Sequence, residues 1–234
     1  MQVYYAPDLS SGLYTLDERE SKHIVRVLRM TKGTRVKLID GTGNLYEGLI
    51  ENPDPKSCSV VIESVIREFE KRDYALQMAA SPLKNQDRFE WMIEKAVEIG
   101  VEIITPVICR NTEKPFIKPE RINNLIISAM KQSLKAYRPV LRDPVTLRDF
   151  VAENNSSTLM IAHCNSKIPR RSIHEVYRKG SDAVILIGPE GDFTEEEIDI
   201  AGKYGYRSVH LGKSRLRSET AAVAACHSVY FINQ

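Results

Sequence analysis

The stretch Leu186-Ile187-Gly188-Pro189-Glu190-Gly191-Asp192-Phe193-Thr194-Glu195-Glu196-Glu197-Ile198 decides the fold of this chain. It is read with His210-Leu211-Gly212-Lys213-Ser214-Arg215-Leu216-Arg217-Ser218-Glu219-Thr220-Ala221, one helix further on. The run from Asp182 to Ile187 is apolar and enters a tight glycine-proline loop. Thr194 followed three residues later by Glu197 forms a capping box, in which each side chain closes a free backbone N–H, so a helix starts there. Gly205 marks its end, and Arg207 to Leu211 reads as a second buried strand that runs into a second glycine loop at Gly212. Two strand-end loops, each placed before a helix start, make a concave site at the carboxyl edge of an α/β sheet. Backbone donors at such an edge suit a small polar molecule.

Upstream the same alternation continues. Tyr74 to Ala80 is strand-like, and Phe89, Met92, Ile93, Ala96 and Val97 recur at helical spacing until Gly100. Val101 to Ile108 is the next strand. Pro119 opens a helix whose apolar face, Ile122 through Met130, Leu134 and Tyr137, is expected to run to Arg138-Pro139. Thr158 to His163 reads as a strand, Ile173 to Tyr177 as a short helix and Glu219 to Ile232 as a closing helix. Strands alternating with helices imply a parallel sheet.

Residues 1 to 70 have another pattern. Val3 to Ala6, Thr34 to Asp40, Leu45 to Ile50 and Cys58 to Ile66 are short strands, and Asp40-Gly41-Thr42-Gly43-Asn44 is a hairpin signal. Short strands with almost no long helix suggest a small barrel. The charged run Glu68 to Asp73 reads as a linker. Two domains are therefore expected, a β-rich module over 1–70 and an α/β domain over 73–234, with its site at about 158–234.

Composition narrows the functional classes. Of 234 residues, 42% are hydrophobic and 27% charged, ordinary values for a globular protein, and the net charge of +2 does not by itself point to a nucleic-acid partner. The local cluster Lys22, His23, Arg26, Arg29 and Lys32 could grip phosphates, although a solvated basic helix face would look the same. No apolar run reaches membrane-span length and the first residues lack a leader pattern, so a cytoplasmic location is expected. Cys58, Cys109, Cys164 and Cys226 are scattered beside apolar runs, which fits buried thiols and no metal site.

Several chemistries are excluded by spacing. Gly212-Lys213-Ser214 resembles the end of a P-loop, but the glycine that motif needs five residues earlier is Arg207. No dinucleotide fingerprint follows any strand, and Glu190 puts a carboxylate where a pyrophosphate would lie. No nucleophile elbow is present, and His163 near a strand end reads as structural rather than catalytic. The remaining reading is a neutral or cationic ligand held by backbone groups, with a carboxylate nearby.

Ile187 to Phe193 together with Leu211 to Ala221 resembles the RsmE family, the small-subunit ribosomal RNA uridine N3-methyltransferases of the SPOUT superfamily. His23 with Val27-Leu28-Arg29, Lys84, Arg88, Glu94 to Val101, and Gln132-Ser133 with Pro139 extend the likeness over essentially the whole chain. Ser214 stands where the family commonly has arginine, and Asp192 where it commonly has glycine. The resemblance implies a PUA-like RNA-binding barrel followed by a SPOUT domain with a C-terminal trefoil knot, a rare exception to unknotted connections. It further implies S-adenosylmethionine as cofactor, 16S rRNA of the small ribosomal subunit as partner, a homodimer, and no metal or membrane. Ile187, Gly188, Pro189, Glu190, Gly191, Leu211, Gly212, Ser214, Leu216, Arg217 and Thr220 would hold the cofactor. Arg217 would stabilise charge on the uracil and Glu219 could act as base, although a carboxylate also suits the first turn of a helix. His23, Arg26, Arg29 and Lys32 would contact rRNA. Another RNA such as tRNA, or a non-catalytic RNA-binding role, stand as the alternatives.

Overall fold

The structure is a computed structural model that describes residues 3–9, 12–153 and 158–234. The chain folds into two compact units, one extending through Lys71 and including Ile127–Arg138, the other formed by Arg72–Ile126 and Pro139–Gln234. Residues 127–138, within the stretch 73–234, thus count with the first unit.

The first unit contains β1 (Val3–Tyr5), β2 (Leu13–Thr15), α1 (Glu18–Lys22), a π-helical turn (His23–Val27), β3 (Arg35–Ile39), β4 (Leu45–Asn52) and β5 (Ser59–Ile66). They build a five-stranded sheet in the order β1-β3-β4-β5-β2. β1 with β3 is parallel, and the other pairings are antiparallel. Side chains of β3 and the first part of β4 alternate between buried and half-exposed, as a sheet with one wet face requires. Tyr4, Leu38, Tyr46, Ile50 and Val60 meet Ile24 in its core. Asp17 caps α1 by accepting from the Glu20 N–H at 2.7 Å. Ser21, fully buried, donates to the Leu16 carbonyl at 3.2 Å and accepts from the Cys58 N–H at 2.9 Å.

The hairpin between β3 and β4 is held by Asp40, whose carboxylate accepts from the N–H groups of Thr42 and Asn44 at 2.8 and 3.1 Å and from the Asn44 amide at 2.6 Å. Gly43 has a φ of 106°, and a Cβ there would fall 2.3 Å from the Tyr137 ring, so the position tolerates no side chain.

The second unit carries β6 (Leu76–Ala80), α2 (Gln86–Ile99), β7 (Ile103–Ile108), α3 (Pro119–Gln132, whose last residues count with the first unit), β8 (Val140–Leu141), β9 (Val145–Thr146) and α4 (Leu147–Glu153). It continues with β10 (Thr158–Ala162), β11 (Arg171–Ser172), α5 (Ile173–Val176), β12 (Ala183–Ile187), α6 (Glu195–Lys203), β13 (Arg207–His210) and α7 (Ser218–Ile232). The strand order is β11-β13-β10-β12-β6-β7-β8, with β9 beside β7, and every pairing is parallel. All five residues of β12 and of β6 are buried, the mark of a parallel sheet covered on both faces. α2, α5 and α7 pack as one group, and α4 packs with α6 as another. Leu186, Val184, Ile161, Phe193 and Ile198 share one core with Phe150 of α4.

β13 pairs with both β10 and β11, two strands that precede it and follow one another in the chain. The last part of the molecule therefore enters between elements already joined by residues 163–170.

The helix opened by Pro119 is shorter than its apolar pattern suggested. It ends at Gln132, and Leu134 takes a left-handed φ of 58°. Tyr137 then bridges to Gly41 and Thr42 instead of prolonging the helical face. Its apolar character serves the β-hairpin, which a periodicity argument assigns to the helix by default.

Candidate active site at the carboxyl edge of the parallel sheet

Three parallel strands, β10, β12 and β13, end side by side, and their loops at 163–170, 188–192 and 211–217 enclose a cavity of about 430 Å³. That volume lies in the range of small-molecule sites. Ala162, Ile187 and Val209, at the strand ends, supply an apolar floor. Arg88 from α2 and Ser218, Glu219 and Ala221 from α7 complete the wall.

The loop after β12 is fixed by its neighbours. Glu190 accepts from the Lys84 N–H at 3.0 Å, and the Asn111 amide donates to the carbonyls of Gly191 and Asp192 at 3.1 and 3.0 Å. A Cβ at Gly191 would lie 3.0 Å from Asn111 Cβ, so the small residue lets that clamp close. Asp192, at a φ of 61°, accepts from the Cys164 N–H at 2.7 Å and from the Phe193 N–H at 2.8 Å. Aspartate tolerates the left-handed region better than most residues because its short side chain bonds the local backbone. The departure from glycine at 192 thus joins the β10 loop to the β12 loop. Beyond it, Thr194 accepts from the Glu197 N–H at 3.2 Å while Glu197 accepts from the Thr194 N–H at 2.8 Å, the expected capping box.

The loop after β13 turns at Gly212, whose φ is 109° and whose N–H donates to His210 Nδ1 at 3.2 Å. Arg217 is the N-cap residue of α7, exposed, with no ion pair among the described residues. Glu219 follows in the first turn and is only 8% exposed. Among the described residues its one cationic neighbour within ion-pair range is Arg88, with Nε 3.8 Å from Oε1. A buried carboxylate needs such a partner, and at 3.8 Å this is a loose ion pair rather than a close hydrogen bond.

Of the residues expected to form the site, Ile187, Gly188, Pro189, Glu190, Leu211, Gly212, Ser214, Leu216, Arg217 and Glu219 line the cavity. Gly191 stands behind the loop against Asn111, and Thr220 is exposed on α7; neither lines it. Arg88, His163, Cys164, Arg170, Asp192 and Arg215 line it without having been singled out for the site. His163 is 4% exposed, and its two ring nitrogens meet no hydrogen-bond partner among the described residues. Burial pushes its imidazole below the usual range, opposed by the nearby Asp192 carboxylate and assisted by Arg170. It is therefore neutral near pH 7. Arg170 Nη1 donates to its carbonyl at 2.5 Å.

In the first unit Arg26, Arg29 and Lys32 are exposed and His23 is half-buried. Lys32 is paired with Glu51 at 2.5 Å, and Arg29 takes a left-handed φ of 53°.

The donor set suits an organic ligand. No group of three or more metal-ligating side chains occurs among the described residues, and no helix among them is long and apolar enough to cross a membrane. An apolar floor with a buried carboxylate in the wall fits a nucleoside that carries a positive centre, and the exposed arginines suit an anionic group at the mouth.

Comparison with known proteins agrees with this geometry. The family model for an RNA methyltransferase domain matches residues 70–230, and that for an RNA methyltransferase PUA domain matches residues 16–63. A probable rRNA-methyltransferase from Porphyromonas gingivalis superposes with a TM-score of 0.93 at 38% identity, covering 100% of this chain and 98% of the other. A ribosomal RNA small subunit methyltransferase E from Neisseria gonorrhoeae, solved bound to S-adenosyl methionine, gives a TM-score of 0.88 at 26% identity, with 100% and 98% covered. The ribosomal RNA small subunit methyltransferase E of Rickettsia conorii is 28% identical over 94% of this chain and 90% of its own length. With its catalytic-domain match spanning most of the sequence and its cavity where three parallel strands end, the chain belongs to the RNA methyltransferase family.

Proposed function

We propose that this protein transfers a methyl group from S-adenosylmethionine to N3 of a uridine in 16S rRNA of the small ribosomal subunit, acting in the cytoplasm as a homodimer. The observation that carries the reading is the cavity at the ends of β10, β12 and β13, with Arg217 at its rim and the buried Glu219 in its wall. Relatives named for small-subunit rRNA methylation supply the substrate class.

The residues suited to the cofactor are Ile187, Gly188, Pro189, Glu190, Leu211, Gly212, Ser214 and Leu216. Bound there, the cofactor supplies an already activated methyl group. The protein then has two tasks, orientation and management of the N3 proton. Uracil N3 holds its proton at neutral pH, so Glu219 would accept it, and Arg217 would stabilise the negative charge left on O2 and O4. Arg88 keeps the buried Glu219 compensated while the substrate is absent. His23, Arg26 and Arg29 in the first unit would hold rRNA phosphates. Lys32 would have to leave Glu51 to join them.

The test is methyl transfer from labelled S-adenosylmethionine to small ribosomal subunits lacking the modification, followed by mass spectrometry of the nucleosides. The expected product is 3-methyluridine. Transfer to another nucleoside, or none to small subunits or their rRNA, would reject the reading.

A further inference from the structure

Phe116 is 89% exposed, more than any other large apolar side chain among the described residues. It lies in the connection Arg110-Asn111-Thr112-Glu113-Lys114-Pro115-Phe116-Ile117-Lys118, between β7 and α3. A single exposed apolar residue needs no explanation on its own. The surroundings of this one are unusual. Lys114 and Lys118 each precede a proline, which favours extended backbone at both positions. Exposure then alternates: Lys114, Phe116 and Lys118 face solvent, while Pro115 and Ile117 are half-buried. In an extended chain such alternate side chains project from one side at intervals of about 6–7 Å. The result is a cation–aromatic–cation row. Neither lysine is held in an ion pair among the described residues, and the one acid of the segment, Glu113, is bound to Lys84 at 2.9 Å.

The row is anchored beside the cavity. Lys84, which holds Glu113, donates its N–H to Glu190 of the cavity wall. Beyond the other end of the row, Arg121 in the first turn of α3 pairs with Glu90 of α2 at 2.6 Å, which fixes the start of that helix. Asn111 clamps the loop after β12. The segment therefore begins against a loop that bounds the cavity.

We propose that Lys114, Phe116 and Lys118 form a docking row for an unpaired stretch of the RNA substrate next to its target base. Phe116 stacks on a base and the two lysines contact the flanking phosphates. Aromatic faces between cations are the arrangement that binds single-stranded nucleic acid with little sequence preference. The inference rests on the proposed action on RNA and names where that RNA lies.

The test is titration of the full-length protein with a short oligouridylate carrying one 2-aminopurine, whose fluorescence is quenched by stacking. Phe116→Ala should weaken binding about tenfold and abolish the quench, leaving the salt slope unchanged. Phe116→Tyr should restore both, and Phe116→Leu neither. Lys114→Ala with Lys118→Ala should instead reduce the salt slope by about 1.4, the loss of two phosphate contacts. Unchanged affinity in Phe116→Ala overturns the proposal. So does a shift of that variant's sedimentation coefficient with RNA binding intact, which would make the row a protein contact. If the wild type binds RNA through Phe116 yet transfers no methyl group, the docking row stands and the proposed reaction fails.

Discussion

The two units solve the same problem, burying a sheet, in opposite ways. The antiparallel sheet of the first unit wets one face: β5 buries only its first two residues, and Val61 in it is 39% exposed. The parallel sheet of the second buries every residue of its central strands β6 and β12, so its polar chemistry gathers where β10, β12 and β13 stop. A sheet with a wet face offers a surface, whereas one covered on both faces offers an edge. Broad, charge-led contact with RNA suits the former, and enclosure of a small cofactor suits the latter.

That contrast can be broken most sharply by truncation. Leu186→Ala in β12, where the side chain is fully buried, should cost about 2–5 kcal/mol of stability. Val61→Ala in β5 should cost less than about 0.5 kcal/mol, because half-exposed surface is less affected. Chemical denaturation measures both; equal losses would erase the distinction between the sheets. Arg217→Ala comes next, with kcat for methyl transfer falling about 10²–10³-fold and the melting temperature unmoved. A parallel loss of stability would make Arg217 a structural tie of the loop.

Asp40 tests the first unit by pH. Burial alone would raise its carboxyl pKa, but hydrogen bonds from Asn44 and Thr42 outweigh burial and hold it below the usual range. Its folded pKa is therefore lower than its unfolded one. The stability it contributes is present above the unfolded value near 3.8 and is lost as pH falls through the folded one. Asp40→Asn should lose about 1–3 kcal/mol at neutral pH and flatten the acid limb of the stability profile, as followed by urea titrations. The smallest effect is expected on the wet surface. Arg26→Ala with Arg29→Asn, the latter chosen to keep the left-handed backbone, should lower the salt slope of RNA binding by about 1.4 without altering stability. An unchanged slope would remove both residues from the RNA contact.

What could be read from the sequence follows the same division between local and distant causes. The boundaries of α6 and the turn after α2 were legible because a capping box and a glycine with a φ of 104° at position 100 act within a few residues. β12 was legible because a covered parallel strand is a continuous apolar run. β2 was not: its three residues are exposed or half-exposed and are defined by pairing with β5. Tyr137 looked like helix face because its partner, Gly43, is remote in sequence. Of the three loops that line the cavity, two carry glycine signatures in the sequence, whereas the third, at 163–170, has none. It is part of the cavity because β10 lies between β12 and β13. Arg88 reaches Glu219 across more than a hundred residues, a pairing that only the packing of α2 on α7 creates.

The central claim is that the edge of the parallel sheet holds the methyl donor. Calorimetric titration of S-adenosylmethionine into the wild type and into Gly212→Val tests it most directly. Gly212 has a φ of 109°, so any side chain strains the loop after β13. Binding of one cofactor per chain that is lost in Gly212→Val, with affinity for RNA retained, is the predicted result. Equal cofactor affinity in the two proteins would contradict it.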